Sequence, residues 1–475
     1  MSTNDASTAT TPQLPFRSFL GYGAGDMANN LAFSLVTTFL TLYYTDVALI
    51  SPAAVGLLFL VMRLIDAFTD VIAGSLIDRT HTRFGKFRPW ILVFCVPLVA
   101  MAVLTFSVPE ALRGTFGAVV WAWVTYFLLG SVFYTLVNIP YGSLAAAMTQ
   151  RPEERARLAT FRTAGSALMQ VIVALAISPA IQQFRGDPDG LQGALTQTII
   201  VLGIVTILLY LVLVFTAREQ VERDVPKVRL QDAVGTLRKN RALGTLAVAA
   251  VVYLVGLFTI AGMTIFYVRD VLGDATFTPV ALALTFSPIL VIGWFLPRLV
   301  GALGKKRLYA ISAVVGAVGA AVLLLAPPGA YVLAVIGFLL LGASSGVCNT
   351  VMWNLEADSI EYGELQTGIR TEGTTYAVFS FMRKLGQAIG GAAGVWIIGL
   401  LGYVGGAESQ SESAVWGIRI AVGAVPVVLF LASALLIRAF PFDERTHTEA
   451  LQTIRERRTG VQPTMLHPLD EDTEL

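Results

Sequence analysis

The sequence predicts an all-α polytopic membrane protein whose twelve transmembrane helices form two pseudo-symmetric halves of six helices each. Three observations predict this fold class. Of the 475 residues, 55% are hydrophobic and only 14% are charged, whereas about 25% of the residues of an ordinary soluble domain are charged. The apolar residues are grouped in blocks of about 20, the length that a helix needs to cross a bilayer. A polar stretch separates six such blocks from six others.

The composition also excludes several classes of function. The small share of charged residues excludes a soluble enzyme and a disordered chain, and a net charge of +1 without long basic runs excludes a nucleic-acid partner. Cys95 and Cys348 lie inside apolar blocks and do not indicate a disulfide framework. The three histidines are too scattered for a metal cluster. We therefore predict that the chain is not an enzyme, has no cofactor, and binds no metal unless Na⁺ is its coupling ion.

The apolar blocks set the order of the helices along the chain. The predicted helices occupy residues 18–46, 52–77, 89–108, 115–148, 158–182, 195–216, 243–268, 277–300, 307–326, 330–356, 373–403 and 415–438. The predicted domains are a cytoplasmic N-terminal tail (1–17), an N-terminal six-helix half (18–217), a cytoplasmic linker (218–242), a C-terminal six-helix half (243–438) and a cytoplasmic C-terminal tail (439–475).

The positions of the basic residues predict the orientation in the membrane. Three loops, between helices 2 and 3, 4 and 5, and 8 and 9, are rich in Lys and Arg: Arg79, Arg83, Lys86, Arg88, Arg151, Arg155, Arg157, Lys305, Lys306 and Arg307. The alternate loops hold little more than Arg113, Arg185 and Arg269. By the positive-inside rule, both termini are expected on the cytoplasmic side of the inner (plasma) membrane, in agreement with an even number of spans.

Similar turns in the two halves predict a repeated architecture. The turn after helix 2 reads GSLIDR over residues 74–79, and the turn after helix 8 reads GALGKKR over residues 301–307. Two halves of six helices with matching basic turns are typical of transporters, whose halves face a central cavity. The predicted function is therefore transport of a small molecule.

Helix 2 carries charges at a depth where charges are costly and commonly functional. Asp66 and Asp70 are four residues apart, so they share one face of the helix, and Asp66 is expected near the midplane. Two neighbouring carboxylates repel each other unless a cation neutralises one of them. The pair is therefore a candidate site for a coupling H⁺ or Na⁺. The alternative is an internal ion pair between Arg63 and Asp66 that only fixes helix packing.

Helix 4 offers uncharged oxygens close to the same depth. Thr135 and Asn138 are three residues apart on one face, and Pro140 removes a backbone donor from the helix. These side chains are candidate ligands of the coupling cation. They are equally compatible with hydrogen bonds that join neighbouring helices.

Polar and aromatic residues on five helices are candidates for substrate binding. Asparagine both donates and accepts hydrogen bonds, as sugar hydroxyls require, and an aromatic face suits the apolar face of a sugar ring. Trp353 is also compatible with simple packing between helices. The candidates are Asp26, Asn29 and Asn30 on helix 1, Tyr134 on helix 4, Arg162 on helix 5, Trp353 and Asn354 on helix 10, and Lys384 and Gln387 on helix 11.

Seven sequence motifs resemble those of the glycoside–pentoside–hexuronide:cation symporter family. In the first half they are GYGAGDMANN (21–30), YYTDV (43–47), and DAFTD (66–70) followed by RFGKFRP (83–89). In the second half they are EADSIEYG (356–363), TGIR (367–370) and FSFMRK (379–384). The resemblance covers nearly all the chain except the tails, and it is greater to bacterial glucuronide carriers than to the related melibiose permeases. It implies the fold of the major facilitator superfamily.

The resemblance implies roles for residues on helices 2 and 4. Asp66 and Asp70 match the two aspartates that bind the coupling cation in melibiose permeases, and Thr135 matches the threonine of that site. Asn138 stands where those permeases have a third aspartate. A site with one carboxylate fewer binds sodium less well, whereas protonation of an aspartate needs no third ligand. Coupling to H⁺ is therefore favoured over coupling to Na⁺.

The resemblance also implies a substrate pocket with an altered charge. Arg162 and Lys384 match an arginine and a lysine of the sugar pocket, whereas Asn30 stands in place of a sugar-binding aspartate and Asn29 in place of a lysine. Gly142 replaces a tryptophan of that pocket. The loss of an acidic residue with retention of two cations favours a carboxylate-bearing substrate, so a glucuronide is expected rather than a neutral galactoside.

Charged residues at the cytoplasmic ends of the helices are expected to form ion pairs that close an inner gate. Asp358, Glu361, Arg370 and Glu372 are predicted in the loop between helices 10 and 11, opposite the loops after helices 2 and 4. The candidate gate residues are Asp78, Arg79, Arg88, Asp358, Glu361, Arg370 and Glu372.

The predicted protein is a monomeric, cation-coupled sugar symporter in the lipid bilayer, which imports a glucuronide or a related glycoside or pentoside with H⁺ by alternating access. Three alternatives stay open. They are Na⁺-coupled transport of a neutral glycoside, Na⁺-coupled transport of a lysolipid-like amphiphile, and a membrane-embedded sensor that binds sugar without moving it.

Overall fold

The computed structural model describes residues 13–80, 82–149, 151–184, 186–220, 240–367, 372–442 and 453. The predicted linker falls mainly on residues 221–239, so most of it lies outside the described residues. The same holds for most of the two predicted tails. The domain boundaries placed in these segments therefore stay predictions.

The described chain is arranged as twelve helical rods without strands, as the sequence predicts. The rods are α1 (16–47), α2 (Pro52–Asp78), α3 (Arg88–Thr105), α4 (116–148), α5 (Pro152–Gln183), α6 (Pro188–Thr216), α7 (Arg241–Val271), α8 (278–303), α9 (Lys305–Leu325), α10 (Tyr331–Thr367), α11 (Glu372–Leu400) and α12 (Glu412–Ala439). Rod α8 is interrupted at Ser287, directly before Pro288, because proline cannot donate the backbone hydrogen bond that a continuous helix needs.

Nine of the described rods are long and apolar enough to cross a membrane by length and composition alone. The other three are α1, α2 and α11. These three carry candidate site residues: Asp26 and two asparagines on α1, Asp66 and Asp70 on α2, and Lys384 on α11. Candidate site residues also lie on α4, α5 and α10, which belong to the nine.

The packing of the rods repeats between the two halves. In the first half, α1 packs on α5 and α6, and α3 packs on α4 and α6; in the second half, α7 packs on α11 and α12, and α9 on α10 and α12. The halves meet through α1 with α7, α2 with α11, and α5 with α8. In a repeat of six helices, α2 corresponds to α8 and α5 corresponds to α11. The α2–α11 contact and the α8–α5 contact are therefore equivalent. The described bundle thus has the pseudo-twofold arrangement of two six-helix halves.

Several helices extend beyond their predicted bounds. The prediction that Asp358 and Glu361 lie in a loop is wrong, because α10 continues to Thr367 and carries both residues. Likewise, α5 begins at Pro152 and α6 at Pro188. Hydropathy detects only the apolar part of a helix, whereas polar turns continue where the helix leaves the hydrocarbon.

One end of the bundle joins the halves through a buried polar network. Asp46 at the end of α1 forms an ion pair with Arg269 at the end of α7, with 2.5 Å between Oδ2 and Nη1. Arg269 also binds Asp270, with 2.7 Å between Nη2 and Oδ2. The hydroxyl of Tyr403, which follows α11, donates to both carboxylate oxygens of Asp46 at 2.8 and 3.0 Å. We call this end the outer end, because the positive-inside rule predicts that it faces away from the cytoplasm.

Further contacts close the outer end. The indole Nε1 of Trp396 on α11 donates to the carbonyl oxygen of Ala53 on α2 at 3.2 Å. The backbone N–H of Ala275, just before α8, donates to Oε1 of Gln182 on α5 at 3.0 Å. Both contacts join the halves near the outer end of the helices that carry them, so the outer end of the bundle is closed.

Gly405 allows the segment after α11 to approach α1 closely. A Cβ atom at this position would lie 1.9 Å from the carbonyl oxygen of Thr45. Because no heavy atoms approach so closely without displacement, any side chain here would push this segment away from α1. The closed outer end therefore requires a glycine at this position.

Candidate functional site

The paired carboxylates of α2 face a π-helical stretch of α4. This stretch, Phe127–Tyr134, directly precedes the α-helical segment that begins at Thr135, and π-helical turns occur often at functional sites. The hydroxyl of Ser131, within the stretch, donates to Oδ1 of Asp66. The hydroxyl of Thr135 donates to Oδ1 of Asp70 at 3.1 Å. Each of the two aspartates of α2 thus accepts a hydrogen bond from a different hydroxyl group of α4.

Asp70 also forms an ion pair across the two halves. The ammonium group of Lys384 on α11 contacts Oδ2 of Asp70. Asp70 lies 18 residues after the start of α2, about 27 Å from the outer end of that helix. The side chains of Asp70 and Lys384 are 27% and 31% exposed. Neither side chain is therefore fully buried in this conformation.

Asp66 pairs with a cation of its own helix. Nη1 of Arg63 lies 3.6 Å from Oδ2 of Asp66, one helical turn away. Both side chains are largely buried, so this pair has limited contact with solvent. The sequence alternative of an internal ion pair is therefore present in the structure, together with the hydrogen bond from Ser131.

A second polar group on α1 and α5 lies in the first half. Nε of Arg162 is 3.1 Å from Oδ1 of Asp26. Nδ2 of Asn30, one helical turn later on α1, donates to Oδ2 of Asp26 at 2.9 Å and also to the backbone carbonyl oxygen of Asp26 at 3.0 Å. The guanidinium of Arg162 lies 5.8 Å from the centre of the Tyr141 ring. Asp26 is nearly buried, whereas the side chain of Arg162 is 52% exposed and is available to a ligand.

The candidate residues Asn29 and Asn138 lie outside the group formed by Asp26, Asn30 and Arg162. Oδ1 of Asn29 accepts a hydrogen bond of 2.9 Å from the hydroxyl of Tyr210 on α6, so its side chain is directed into the first half. Within the described residues, Nδ2 of Asn29 has no hydrogen-bond partner. Asn138 is half-buried one turn after Thr135 on α4, on the face that Thr135 presents to α2.

Other candidates line small cavities on the outer side of Asp66 and Asp70. A cavity of about 30 Å³ is lined by Tyr134, Arg63 and Asp66, and a second of about 30 Å³ is lined by Gln387 and Arg63. A cavity needs about 10–15 Å³ to hold one water molecule, so each has room for only a few waters. Both are therefore too small for a sugar in this conformation.

The aromatic candidate on α10 packs against α11. The Trp353 ring stacks on Tyr376 with 5.4 Å between ring centres, and it meets the edge of Phe379 at 5.4 Å. The guanidinium of Arg383 lies 5.0 Å from its centre. Asn354, the next residue on α10, is exposed. In this conformation Trp353 is therefore engaged by side chains of α11.

Two of the candidate gate residues at the inner end have a described contact within their own half. The ammonium of Lys305 lies 2.7 Å from Oδ1 of Asp358, and both residues belong to the second half. Nε of Arg88 donates to the carbonyl oxygen of Val214 at 2.7 Å, within the first half. Glu361 is half-buried on α10.

The other gate candidates are less fully described. Arg79 directly follows the last residue of α2 and is exposed. Arg370 lies outside the described residues. Asp78 and Glu372 lie at helix ends, but their side chains are outside the described part of the chain.

Ser131 and the outer network are polar features that the sequence reasoning did not single out. Ser131 has no charge and is surrounded by apolar residues, so only the presence of a π-helical stretch could have drawn attention to it. Asp46 and Arg269 carry charge at the ends of predicted helices, and that signal was present. Sequence alone does not show that these two residues face each other.

The arrangement combines two groups of polar side chains. The carboxylate of Asp70 on α2 is bound by a cation of the opposite half, and a separate polar group with an exposed guanidinium lies on α1 and α5. No group of three or more His, Cys, Asp or Glu side chains among the described residues is arranged to hold a metal ion. The site therefore joins titratable groups with hydrogen-bonding groups.

Comparisons with known proteins identify relatives that are sugar transporters or carriers. The glucuronide carrier protein homolog of Escherichia coli (strain K12) is 39% identical over 94% of this chain and 97% of its own length. The isoprimeverose transporter of Lactiplantibacillus pentosus is 31% identical over 93% of each chain. Among solved structures, a D-xylose-proton symporter matches with a TM-score of 0.63 at 16% identity, over 89% of this chain and 97% of that one.

The family follows from the match over nearly the whole chain. The nucleoside transporter NupG matches with a TM-score of 0.61 at 12% identity over 90% of this chain and 98% of that one, which supports the fold. The family described as MFS/sugar transport protein matches residues 21–444. The chain is therefore an integral membrane transport protein, not an enzyme, and belongs to the MFS/sugar transport protein family.

Proposed function

We propose that the chain is a proton-coupled symporter that carries a glucuronide, or a related carboxylate-bearing glycoside, across the inner membrane by alternating access. Both termini would lie in the cytoplasm, and a single chain would be the working unit. The similarity to the glucuronide carrier protein homolog supports the class of substrate. The geometry of α2, α4 and α11 supports the coupling.

The observation that carries the proposal is the ion pair between Asp70 and Lys384. It joins a carboxylate of one half to a cation of the other, so the charge state of Asp70 decides whether Lys384 is held. Protonation of Asp70 removes the attraction and releases the ammonium group. A ligand bound between the halves and a proton on Asp70 therefore affect each other, as reciprocal coupling requires.

The charges of the site favour an anionic substrate. Asp26 is neutralised by Arg162 and Asp70 by Lys384, so these carboxylates do not repel an incoming anion strongly. When Asp70 gains a proton, Lys384 contributes a positive charge at mid-depth. A substrate with a carboxylate then restores neutrality in the cavity, which lowers the cost of a charge in the membrane.

The ligands of Asp70 favour H⁺ over Na⁺. The ammonium group of Lys384 occupies one oxygen of Asp70 and Thr135 donates to the other. A sodium ion needs several oxygen ligands and would have to displace the ammonium group, whereas a proton needs only one oxygen. Asn138 offers an amide oxygen in place of a third carboxylate, which further weakens attraction for a metal cation.

The closed outer end supports a cycle in which this conformation opens toward the cytoplasm. In the opposite conformation, the contacts between Asp46, Arg269 and Tyr403 would break while the inner ends approach each other. Asp358 would then exchange its partner within the second half for a partner in the first. The candidate gate residues at the inner end would act at this step.

Uptake into proteoliposomes with separately imposed gradients tests the proposal. The probe is radiolabelled phenyl-β-D-glucuronide, with an inward proton gradient, an inward sodium gradient, or neither. Accumulation driven by the proton gradient alone is the expected result. The Asp70→Asn variant should lose accumulation and retain exchange of internal for external substrate, since the neutral side chain imitates the protonated state.

Other outcomes would favour the alternatives. Acceleration by sodium alone would indicate that Asn138 acts as a cation ligand and that H⁺ is not the coupling ion. Uptake of a neutral glycoside in place of the glucuronide would favour a substrate like that named for the isoprimeverose transporter. Uptake of a lysolipid would favour an amphiphile carrier, and binding without uptake would favour a sensor.

A further inference from the structure

Arg383 is a cation of α11 that the coupling scheme does not use. It lies 11 residues after the start of α11, about 17 Å along the helix, and it directly precedes Lys384. A charged side chain at this depth costs a few kcal/mol or more, so such residues commonly mark sites for ions or substrates. Its surroundings therefore indicate what it could bind.

The contacts of Arg383 are with neutral groups. Its Nη2 donates to Oδ1 of Asn349 at 2.7 Å, and its Nη1 lies 3.4 Å from the sulfur of Met352. The guanidinium also lies over the rings of Trp353 and Phe379, at 5.0 and 5.9 Å from their centres. No carboxylate of the described residues forms an ion pair with it.

The neighbouring cations differ in this respect. Three others in the central part of the bundle have carboxylate partners, in the pairs Arg63–Asp66, Arg162–Asp26 and Lys384–Asp70. Glu356, the first carboxylate after Asn349 along α10, makes other contacts. Arg383 therefore supplies positive charge that no described carboxylate balances.

The pair of Arg383 and Asn349 is open to a ligand. Asn349 is exposed on α10, so the guanidinium nitrogen that it contacts lies at the surface of the protein. Arginine has a planar fork of donors that matches the two oxygens of a carboxylate, and the amide of asparagine adds a donor beside it. Aromatic rings behind the guanidinium restrict its motion, which reduces the entropy lost on binding.

We propose that Arg383, with Asn349 beside it, binds the carboxylate of the transported substrate, and that Trp353 and Phe379 are positioning residues for the guanidinium. The inference rests on the proposed function and assigns the recognition of the anion to α10 and α11.

Binding of matched charged and neutral ligands tests the assignment. The purified full chain in nanodiscs is titrated with phenyl-β-D-glucuronide and with phenyl-β-D-glucoside, which lacks only the carboxylate. Arg383→Gln should weaken glucuronide binding by about 10- to 100-fold, the usual effect of losing a charged hydrogen bond, and change glucoside binding by less than about twofold. Arg438→Gln removes an exposed arginine at the end of α12 and is the control.

A second variant keeps the test valid if Arg383→Gln does not fold. Arg383→Lys retains the charge but not the planar fork, so it should weaken glucuronide binding by about tenfold and leave glucoside binding unchanged.

The outcomes separate this inference from the function on which it rests. If the unaltered chain prefers the glucuronide and both variants keep that preference, the assignment to Arg383 is overturned and the proposed function stands. If the unaltered chain binds no glucuronide, the proposed function fails and the assignment fails with it. Equal weakening of both ligands would indicate a structural role for Arg383 and would also overturn the assignment.

Discussion

The ion pair between Asp46 and Arg269 is expected to set the balance between the two open states of the carrier. Their side chains are 6% and 5% exposed, so solvent screens their interaction little. Asp46→Asn keeps the shape and one acceptor oxygen but removes the charge. A hydrogen bond to a charged group contributes about 1.5–3 kcal/mol. Because this contact joins the halves, its loss should raise the ratio of outward-open to outward-closed molecules by about 10- to 150-fold.

The size of this effect is limited by the second partner of Arg269. Asp270 still binds the guanidinium at 2.7 Å after the substitution, so no buried cation is left without a carboxylate. The penalty of about 3–5 kcal/mol for breaking a buried pair should therefore not apply. We expect a folded protein with a shifted equilibrium.

Labelling of a cysteine in the outer pathway measures the shift. Thr37 lines the small cavity on the outer side of the coupling residues, so Thr37→Cys should react with a membrane-impermeant maleimide only when the outer end opens. The native thiols of Cys95 and Cys348 are buried and should react slowly. Labelling of Thr37→Cys should be about 10- to 150-fold faster when Asp46→Asn is added, if opening precedes reaction.

The chain offers a matched control at the same end. Asp189 forms an ion pair with Arg113, and both residues belong to the first half. Asp189→Asn therefore removes an outer ion pair without affecting contact between halves, and it should leave the labelling rate unchanged. Equal rates for the Asp46→Asn and Asp189→Asn backgrounds would refute the argument that the Asp46 network closes the outer end.

Three further substitutions test other contacts. Ser131→Ala removes the hydroxyl that donates to Asp66 and should slow gradient-driven uptake about tenfold, the effect of one hydrogen bond to a charged group, as measured in proteoliposomes. Tyr210→Phe leaves the side-chain oxygen of Asn29 without its donor and should lower the free energy of unfolding by about 1–3 kcal/mol, measured as a lower melting temperature, with unchanged substrate affinity. Gly405→Ala should displace the segment after α11 from α1 and increase labelling from the outside.

Controls for these variants are available in the chain. Ser178→Ala removes a buried hydroxyl that donates to its own helix and should not slow uptake, which distinguishes the contact with Asp66 from a general loss of packing. A loss of substrate affinity in Tyr210→Phe would show that Asn29 contributes to binding. Gly193 has open space around its Cβ position, so Gly193→Ala should not change labelling, and a similar increase in both glycine variants would contradict the steric argument.

The number and order of the helices could be predicted because hydropathy records which segments face hydrocarbon. The positions of the helix ends were harder to predict from the sequence. Asp358 and Glu361 lie on α10, beyond its apolar part, and a charged helical turn outside the hydrocarbon has the same hydropathy as a loop. The first residues of α5 and α6 were missed for the same reason.

Part of the site could be predicted from the sequence because charged residues inside apolar segments are easy to recognise. Helical spacing paired Asp66 with Asp70 and Thr135 with Asn138, the family resemblance joined the two pairs, and the structure brings both aspartates into contact with α4. The pairing of Lys384 with Asp70 depends on the contact between halves, which spacing along one helix does not reveal. Ser131 depends on the π-helical backbone of α4, and hydropathy has no signal for that geometry.

The π-helical stretch of α4 determines how the protein responds to the loss of a residue from this segment. A π turn holds more residues per turn than an α turn, so the stretch Phe127–Tyr134 accommodates surplus residues without disturbing the helix on either side. Deleting one residue from it would allow a regular α-helix to form with the flanking segments in place. Such a deletion should be tolerated by folding better than a deletion elsewhere in α4, yet it would rotate Ser131 away from Asp66. The expected cost of shortening this segment is thus the loss of the Ser131–Asp66 contact, not the loss of the helix.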